Sequence, residues 1–554
     1  MDKGFLFERN LLALSPSDPS LCSRLSGSET TRGRYKFIES RSGESIPALV
    51  DSAGAAHPLH SLVDPRKEGV RLVSNVPGFL IIFGLGGGFH VEAALAKPGT
   101  ECVTVIEFDI NGVAELLSSR DYIGIFNDPR FRLLVDPSPP ALEKHLLDRY
   151  KPGICGGIAL LPLRTRTDLE RPLFAEATGV IKSAIDAVSA DYSVQAYFGK
   201  RWFSNIIRNL PRAEQSQPAL PPIRSAAICA AGPSLDSQIP RLCEISRKKK
   251  ERPFIIAVDT ALPSLLGAGL EPDAVVSIDC QHISYYHFMA GLPERTLLFL
   301  DLASPPLVAS RSARPYFFSG GHPLTRYLSR YWRPIPELDT SGANVSYAAL
   351  SLAEHLGARS IELYGADFSY PLGVTYARGS YIRSLFENRQ NRCASLETHH
   401  SAFLYRTPLF KQIAGDFWYY ETKALTMYRT RLEDKVHRIT ASTAVQVSAA
   451  PGMGAPEIKT AAFPGPIRLF ASGKALMGAG EFLRQYRDKI EALPALSGPV
   501  QVYLAALSRE ENTIFTTLLP SMAAIKHQAP DLNIPSVVQA VREYAIGELD
   551  KVLF

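Results

Sequence analysis

The stretch from Arg224 to Asp236, Arg-Ser-Ala-Ala-Ile-Cys-Ala-Ala-Gly-Pro-Ser-Leu-Asp, has residue types that suit an anion site. Ala226 to Ala230 are small and apolar and read as a short buried strand, Ala231-Gly232-Pro233-Ser234 break it, and helical spacing runs from Leu235 to Arg247. A tight turn between a strand and a helix N-terminus presents free N–H groups and the positive end of the helix dipole to a ligand. Gly232 lets backbone approach that ligand closely, and Pro233 sets φ at the helix entry. Ser234 suits either a helix cap or a bond to a phosphate oxygen. An ordinary β-α turn with a good cap would use the same residues, so the loop alone does not decide.

More polar residues fall at the ends of other apolar runs. Asp259-Thr260 follow Phe254–Val258, Asp279 follows Ala274–Ile278, and Asp301 follows Thr296–Leu300. Gly365-Ala366-Asp367 follow Ser360–Tyr364, and a further apolar run spans Tyr316–Ser319. Helical segments, notably 341–357, separate most of these runs, and strands alternating with helices predict a parallel sheet with ligands at the C-terminal ends of its strands. Asp301 reads as a helix cap. Several acids on one sheet edge, opposite the Gly232 loop, read as a site.

The elements before this segment predict a second α/β unit. Residues 1 to about 70 are polar and alternating, with short strands at 34–38 and 46–50. Phe79–Phe83 is a buried strand, Gly84-Leu85-Gly86-Gly87-Gly88-Phe89-His90 a Gly-rich turn into a helix over 91–96, and Cys102–Phe108 a second strand with Glu107 and Asp109 at its end. That is a Rossmann-type unit, in which such an acid holds a ribose; a degenerate fold without a ligand fits the residues as well. Strands at 131–135 and 157–161, a helix near 174–190 and a Pro-rich boundary from Pro211 to Pro222 follow. From about Phe410 the pattern turns helical, over 415–428, 474–493, 499–526 and 535–551, broken by a Pro/Gly-rich stretch from Pro451 to Pro466.

The 554 residues carry a net charge of +5, with 60 Lys and Arg against 55 Asp and Glu, which predicts no nucleic-acid surface. The basic run 247–252 closes a helix and reads as a solvated end. Seven scattered Cys without a C-x-x-C read as reduced thiols. The charged start, Met1-Asp2-Lys3-Gly4, does not read as a signal peptide, and no window approaches the ~18 apolar residues of a membrane span, so a cytoplasmic protein is expected.

Taken together, Ala230-Ala231-Gly232-Pro233-Ser234-Leu235, Ile256–Ala261, Pro272–Asp279 and Gly365-Ala366-Asp367-Phe368 resemble the motility-associated factor (Maf) family of bacterial flagellin glycosyltransferases. The Gly84–His90 turn with Val105-Ile106-Glu107 resembles that family's first domain. The stretch from Thr340 through Asp367-Phe368 to Thr375-Tyr376-Ala377 is also similar to bacterial sialyltransferases, whose donors are CMP-activated nonulosonic acids. The resemblance implies an α/β fold: a Rossmann-like N-terminal domain (1–215), a central GT-A-like or sialyltransferase-like parallel-sheet domain (216–409) and a helical C-terminal domain (410–554).

It also implies an inverting transfer of a nonulosonic sugar from a CMP-linked donor to Ser or Thr of flagellin, in support of flagellum assembly and motility. Ala231, Gly232, Pro233 and Ser234 would cradle the phosphate, and Asp259, Thr260 and Asp279 would lie where ribose and base sit. Ser341, Gly342 and Asn344 would hold the cytosine side or the phosphate, with Asp367 nearby. Tyr376, and Tyr370 beside it, match tyrosines that hydrogen-bond the departing phosphate, so no metal or other cofactor is expected. His399 and His400 stand at the distance of the sialyltransferase base, with Asp279 as the alternative. Two rival readings are an ATP- and Mg²⁺-dependent hydroxymethylpterin diphosphokinase, with Asp259, Asp279 and Asp367 as metal carboxylates, and a non-catalytic flagellin-binding chaperone.

Overall fold

The computed structural model describes residues 3–28, 33–215, 218–248, 252–414, 417–439, 444–447 and 473–554. The chain forms two compact units, one of Met1–Gly199 with Leu493–Phe515 and Leu519–Arg542, the other of Lys200–Ala492 with Thr516–Leu518 and Glu543–Phe554. No helix among the described residues is long and apolar enough to cross a membrane.

The first unit opens with two helices, Lys3–Leu14 and Pro19–Ser26, where the polar alternation predicted no helix. The first has no acid in its opening turn and is held by tertiary bonds instead. Asn10 Nδ2 donates to the carbonyls of Leu117 and Arg120, both at 2.7 Å, and its Oδ1 accepts the Tyr122 N–H at 2.8 Å. An antiparallel sheet follows, β1 (Tyr35–Glu39), β2 (Ser45–Val50) and β3 (Ala56–Pro58). The Rossmann-type sheet is parallel, with β4 (Phe79–Phe83), β5 (Cys102–Glu107), β6 (Phe131–Val135) and β7 (Ile158–Pro162) in the order β6-β5-β4-β7. All five residues of β4 are buried, as expected for a strand covered on both faces.

The Gly-rich turn after β4 is filled by the chain's own groups. The Gly87 N–H donates to His60 Nε2 at 2.9 Å, the Leu85 N–H to Glu107 Oε1 at 2.6 Å, and the Tyr122 hydroxyl to the Gly86 carbonyl at 2.7 Å. A Cβ on Gly86 would stand 2.5 Å from His60 Nε2. Glu107, the acid expected at a ribose, is 1% exposed and lies 2.7 Å from the Arg166 guanidinium, which also donates to the Tyr35 hydroxyl at 2.6 Å and pairs with Glu170 at 2.9 Å. Burial raises the Glu107 pKa even beside Arg166. Burial opposes the Arg166 charge too, but Glu107, Tyr35 and Glu170 outweigh it and hold its pKa up.

The second unit is built on a seven-stranded parallel sheet. Its strands are β8 (Ser225–Cys229), β9 (Phe254–Val258), β10 (Ala274–Ser277), β11 (Leu297–Asp301), β12 (Tyr316–Phe318), β13 (Ser360–Tyr364) and, after the paired strands described below, Ala444–Val447. They lie in the order β12-β11-β10-β9-β8-β13 and then Ala444–Val447, which the sequence reading missed. Successive strands run one way from β8 to β12 and the other way from β8 to β13, so the order reverses at β8. Ligands of open α/β sheets bind at such a switch point, outside the strand C-termini.

Residues 410–414 and 417–421, expected to begin the helical region, form strands. β14 (Tyr370–Pro371), β15 (Phe410–Ala414) and β16 (Phe417–Glu421) make an antiparallel sheet ordered β14-β16-β15. The aromatic run Phe417-Trp418-Tyr419-Tyr420 suits a pleated, half-buried surface, and helical spacing begins only at Lys423. The expected loop from Pro451 to Pro466, and Lys249 to Glu251 of the basic run, lie outside the described residues. Helices at Ala479–Glu491, Val500–Ala506, Arg509–Gln528 and Ile534–Leu553 bear out the helical C-terminal region. The expected single helix over 499–526 is two, because Ser508 and Glu511 form a capping box that starts a new one. All seven Cys are free thiols.

Arg166 compensates a carboxylate that has no access to water. Arg166→Met should therefore destabilise the first unit by about 3–5 kcal/mol, with part recovered in the Glu107→Gln/Arg166→Met double variant. Urea unfolding followed by a probe in that unit measures both; a recovery of zero would mean that Glu107 is not the group Arg166 compensates.

Candidate active site

The switch point is built by two loops that cross. The register of β8 with β13 sets Cys229 opposite Tyr364, so the loops after them leave the sheet side by side. The Ala230 N–H donates to the Tyr364 carbonyl at 2.8 Å and the Gly232 N–H to the Gly365 carbonyl at 2.9 Å. The Gly365 N–H is held by Gln238 Oε1 at 2.8 Å. A Cβ on Gly232 would stand 2.3 Å from Asp367 Oδ2 and 2.5 Å from the Gly365 carbonyl, and a Cβ on Gly365 would stand 2.3 Å from the Ala230 carbonyl. Gly365 also has φ of +62°, which favours glycine. Gly232 thus serves an approach of backbone to backbone and to Asp367.

Asp367 acts on this loop from within. Its Oδ2 accepts the Ser234 N–H at 2.9 Å, and burial raises its pKa while the Ser234 bonds lower it. Ser234 does not cap the helix Leu235–Ser246, whose first turn closes on backbone carbonyls instead. Its hydroxyl is buried beside the Asp367 carboxylate and, with the Ser234 N–H, lowers that group's pKa. The hydroxyl thus stands at the helix N-terminus, where the positive end of the dipole favours an anion.

The segment after β14 is tied to the same loop. The Ala377 N–H donates to the Ala231 carbonyl at 3.0 Å, and the Arg378 N–H to Asp236 Oδ1 at 2.8 Å. Tyr376 lies between these anchors and Thr375, and its pKa is pushed up to about 12 by burial, with Tyr370 and the Asp259 charge adding to it. It is a neutral donor near neutral pH. Thr375 Oγ1 lies 2.9 Å from His400 Nδ1, so the helix Leu396–Leu404 delivers His400 to this segment. Burial, then the Arg383 charge, lower the His400 pKa and keep the ring neutral. His399 stacks on Phe386, with its Nε2 buried and unpartnered.

The other strand-end acids are held differently. Asp259 is 2% exposed; Oδ2 accepts the Ser277 hydroxyl at 2.6 Å, and Oδ1 accepts the Thr260 N–H at 2.7 Å and its hydroxyl at 3.1 Å. Asp279 is less buried and accepts the Gln281 N–H at 2.8 Å; burial raises its pKa and the Asp259 charge adds to this, while the bonds from Gln281 lower it. Beside it stand His287, with a buried, unpartnered Nδ1, and Tyr286, stacked on Tyr381 at 4.7 Å. Asp301 caps no helix. It holds the Ala303 N–H at 2.8 Å and that of Gly320, joining the loops after β11 and β12.

Ser341, Gly342 and Asn344 are not joined to the Gly232 loop by hydrogen bonds. Asn344 Oδ1 caps the helix Val345–His355 through the Tyr347 N–H at 2.9 Å, Gly342 packs on the Tyr347 ring, and Ser341 donates to Asp339 at 2.7 Å. Asp339 in turn pairs with Lys435 at 3.2 Å. The far end of this helix reaches the strand starts, where Leu356 accepts the Ile223 N–H, so Asn344 lies toward the same sheet edge as the Gly232 loop. Sequence reasoning missed Ser277, Thr375, His287 and Tyr381. Ser277 is two residues from Asp279 in a strand already singled out, but its bond to Asp259 requires the pairing of β9 with β10.

Two outcomes test this geometry. Asp367→Ala strands the Ser234 N–H and should cost about 1–3 kcal/mol, whereas Asp367→Asn, which keeps an acceptor, should cost less; equal costs in thermal unfolding would remove the loop-holding role. Burial pushes Asp301 up to about 6, so the folded state holds its proton more tightly than an unfolded carboxyl of pKa about 3.9. That stabilisation is complete below pH ~4 and lost as pH rises through ~6. Relative to Asp301→Asn, the protein should lose on the order of 2–3 kcal/mol between pH 4 and 7, read as diverging denaturation midpoints.

Residues 203–373 match the family model described as 6-hydroxymethylpterin diphosphokinase MptE-like. Two uncharacterized proteins of Treponema pallidum (strain Nichols) are 32% identical over 151 residues, 26% of this chain and 54% of theirs, and 42% identical over 113 residues, 20% and 52%. The chain thus spans about half the length of these relatives. The structure titled "Structure of MAf glycosyltransferase from Magnetospirillum magneticum AMB-1" superposes with a TM-score of 0.56 at 15% identity, covering 100% of this chain and 95% of that one. From end to end, the chain has the fold of a Maf glycosyltransferase, with an MptE-like segment at its centre.

Proposed function

We propose that the protein is a Maf-type glycosyltransferase that moves a nonulosonic, sialic-acid-like sugar from a CMP-linked donor to a Ser or Thr hydroxyl of flagellin. The observation that carries this reading is the convergence at the switch point of a buried serine hydroxyl at a helix N-terminus, a tyrosine held protonated and a histidine held neutral. The Ser234 hydroxyl and the positive dipole end of the helix Leu235–Ser246 suit the donor phosphate, with Asp259 and Thr260 toward ribose and base. His400 accepts the acceptor proton as the hydroxyl oxygen bonds to the anomeric carbon. The bond from that carbon to the phosphate oxygen breaks in the same step, CMP leaves, and the configuration inverts. Tyr376 donates a hydrogen bond to the departing phosphate, which stabilises its charge without a metal ion.

The description MptE-like favours a second reading, diphosphate transfer from ATP with Mg²⁺. Against it, the carboxylates of Asp259 and Asp367 already accept hydrogen bonds from Ser277, Thr260 and Ser234. Calorimetry separates the two: CMP should bind without metal, and ATP with Mg²⁺ should not; the opposite pattern would establish the diphosphokinase reading. Protein capture of flagellin without turnover of any CMP-sugar would leave only a chaperone role.

His400→Ala should lower transfer by about 10²–10⁴ with CMP affinity unchanged. If His399→Ala does so instead, the base is its neighbour, and if neither does, Asp279→Asn is the next variant. EDTA should leave the rate intact. Because the His400 pKa is lowered, the imidazole stays neutral below the ordinary value of about 6.5, and the acid limb of the rate profile should fall below that pH.

A further inference from the structure

A cleft of about 460 Å³ opens in the second unit beside the strand ends of β10 and β11. One wall is a single face of the helix Arg171–Ala213, presenting Lys200, Arg201, Ser204 and Arg208. Spacings of one, four and eight residues put these side chains along about 12 Å of that face. Packed against that face are Tyr544 and Glu548, one turn apart in the last helix. The floor is His282, Pro306 and Leu307, from the turns that follow β10 and β11.

The cleft is anchored to the sheet edge. Buried Asn205 donates to the carbonyls of Cys280 at 3.0 Å and Ala303 at 2.8 Å, and buried Asn209 to those of Leu302 at 2.9 Å and Ser304 at 2.8 Å. Cys280 follows Asp279 directly, so the cleft adjoins the more open of the strand-end acids. The Gly232 loop follows β8, two strands from β10, and neighbouring strands lie about 4.8 Å apart. Counted in strand spacings, the cleft therefore stands about 10–14 Å to the side of the switch point.

Its lining holds three cations against one carboxylate. Glu548 accepts the Ser204 hydroxyl at 2.6 Å, lies 3.1 Å from Arg208 and is shared with Lys551 at 2.6 Å. Lys200 lies 4.8 Å from the Tyr544 ring centroid, and the Tyr544 hydroxyl donates to its carbonyl at 2.6 Å. The cations start from positions up to eight residues apart on the helix, about 12 Å along its axis. That spacing suits carboxylates set along an extended chain better than one compact anion, and Pro306, Leu307 and the Tyr544 ring offer apolar contacts between them. Such a field is screened by salt over about 10 Å at 0.1 M.

We propose that this cleft binds an acidic segment of the polypeptide acceptor, holding it so that a neighbouring hydroxyl reaches the switch point. The proposal rests on the reading of the protein as a glycosyltransferase acting on a polypeptide. The test is fluorescence anisotropy on the full chain with a labelled twelve-residue Glu/Ala peptide, its Gln/Ala counterpart, and inorganic phosphate as competitor. The acidic peptide should bind and the Gln peptide at least tenfold more weakly, with affinity falling as salt rises from 0.05 to 0.3 M. Lys200→Glu/Arg201→Glu should weaken binding at least tenfold and Lys200→Gln/Arg201→Gln less, with CMP binding within twofold of the parent as the check on folding.

No binding of the acidic peptide to the parent protein overturns the proposal, as do equal binding of both peptides and unchanged affinity in the charge-reversed variant. Displacement by millimolar phosphate would make the cleft a small-anion site and overturn it too. The peptide measurement involves no donor, so its failure beside intact CMP binding spares the glycosyltransferase reading. Retained peptide binding without CMP binding or turnover would count against that reading instead.

Discussion

The second unit depends on the close crossing of the loops that leave β8 and β13. Backbone meets backbone at Gly232 and Gly365, and each glycine stands where a Cβ would collide with the other loop. The Asp367 carboxylate then accepts the Ser234 N–H across the crossing. A parallel pair with matched register delivers the loops to the same place, and two residues without side chains let them pass. This constraint aims the Ser234 hydroxyl and the first turn of the helix Leu235–Ser246.

The remaining chemistry hangs on that crossing through backbone bonds. The bond from Ala377 to Ala231 brings in Tyr376, and Thr375 brings in His400. Burial acts on the two groups in opposite chemical senses with one useful result: it holds the phenol protonated and the imidazole unprotonated. A donor and a proton acceptor are therefore available together over a broad range of pH. The Asp259 carboxylate sits close enough to raise Tyr376 further, although Ser277 and Thr260 take up its oxygens.

The two glycine-rich loops of the chain make an informative contrast. After β4, the loop's donors go to His60 and Glu107, and the acid at the end of β5 is closed off by Arg166. After β8, the Ser234 N–H goes to Asp367 and the Ser234 hydroxyl stays at the helix N-terminus without capping it. Both loops follow a buried strand and open a helix, and both looked like anion sites in sequence. The difference lies in residues far away in the chain, His60 and Arg166 in one case and Asp367 in the other.

The sequence alone determined the parallel sheets, because runs such as Phe79–Phe83 and Phe254–Val258 are continuous and apolar, and strand ends are marked by Gly and Asp. It also placed Gly232, Asp259, Asp279 and Asp367 at one sheet edge, since strand alternation fixes which ends share an edge. It did not show the helix Lys3–Leu14, whose stability comes from Asn10 bonding to residues over a hundred positions away. Nor did it show the strand Ala444–Val447 or the paired strands Phe410–Ala414 and Phe417–Glu421, because short apolar runs have no period that separates strand from helix. Only the tertiary structure decided which polar groups are spent and which are available. Asp367, read as a donor-binding residue, also holds a loop; Ser234, read as either a cap or a phosphate contact, makes no cap; and Asn344, read as a nucleotide contact, also caps its own helix. Each outcome depends on a hydrogen bond made or left unmade within about 3 Å, and a linear sequence specifies residue types, not those distances.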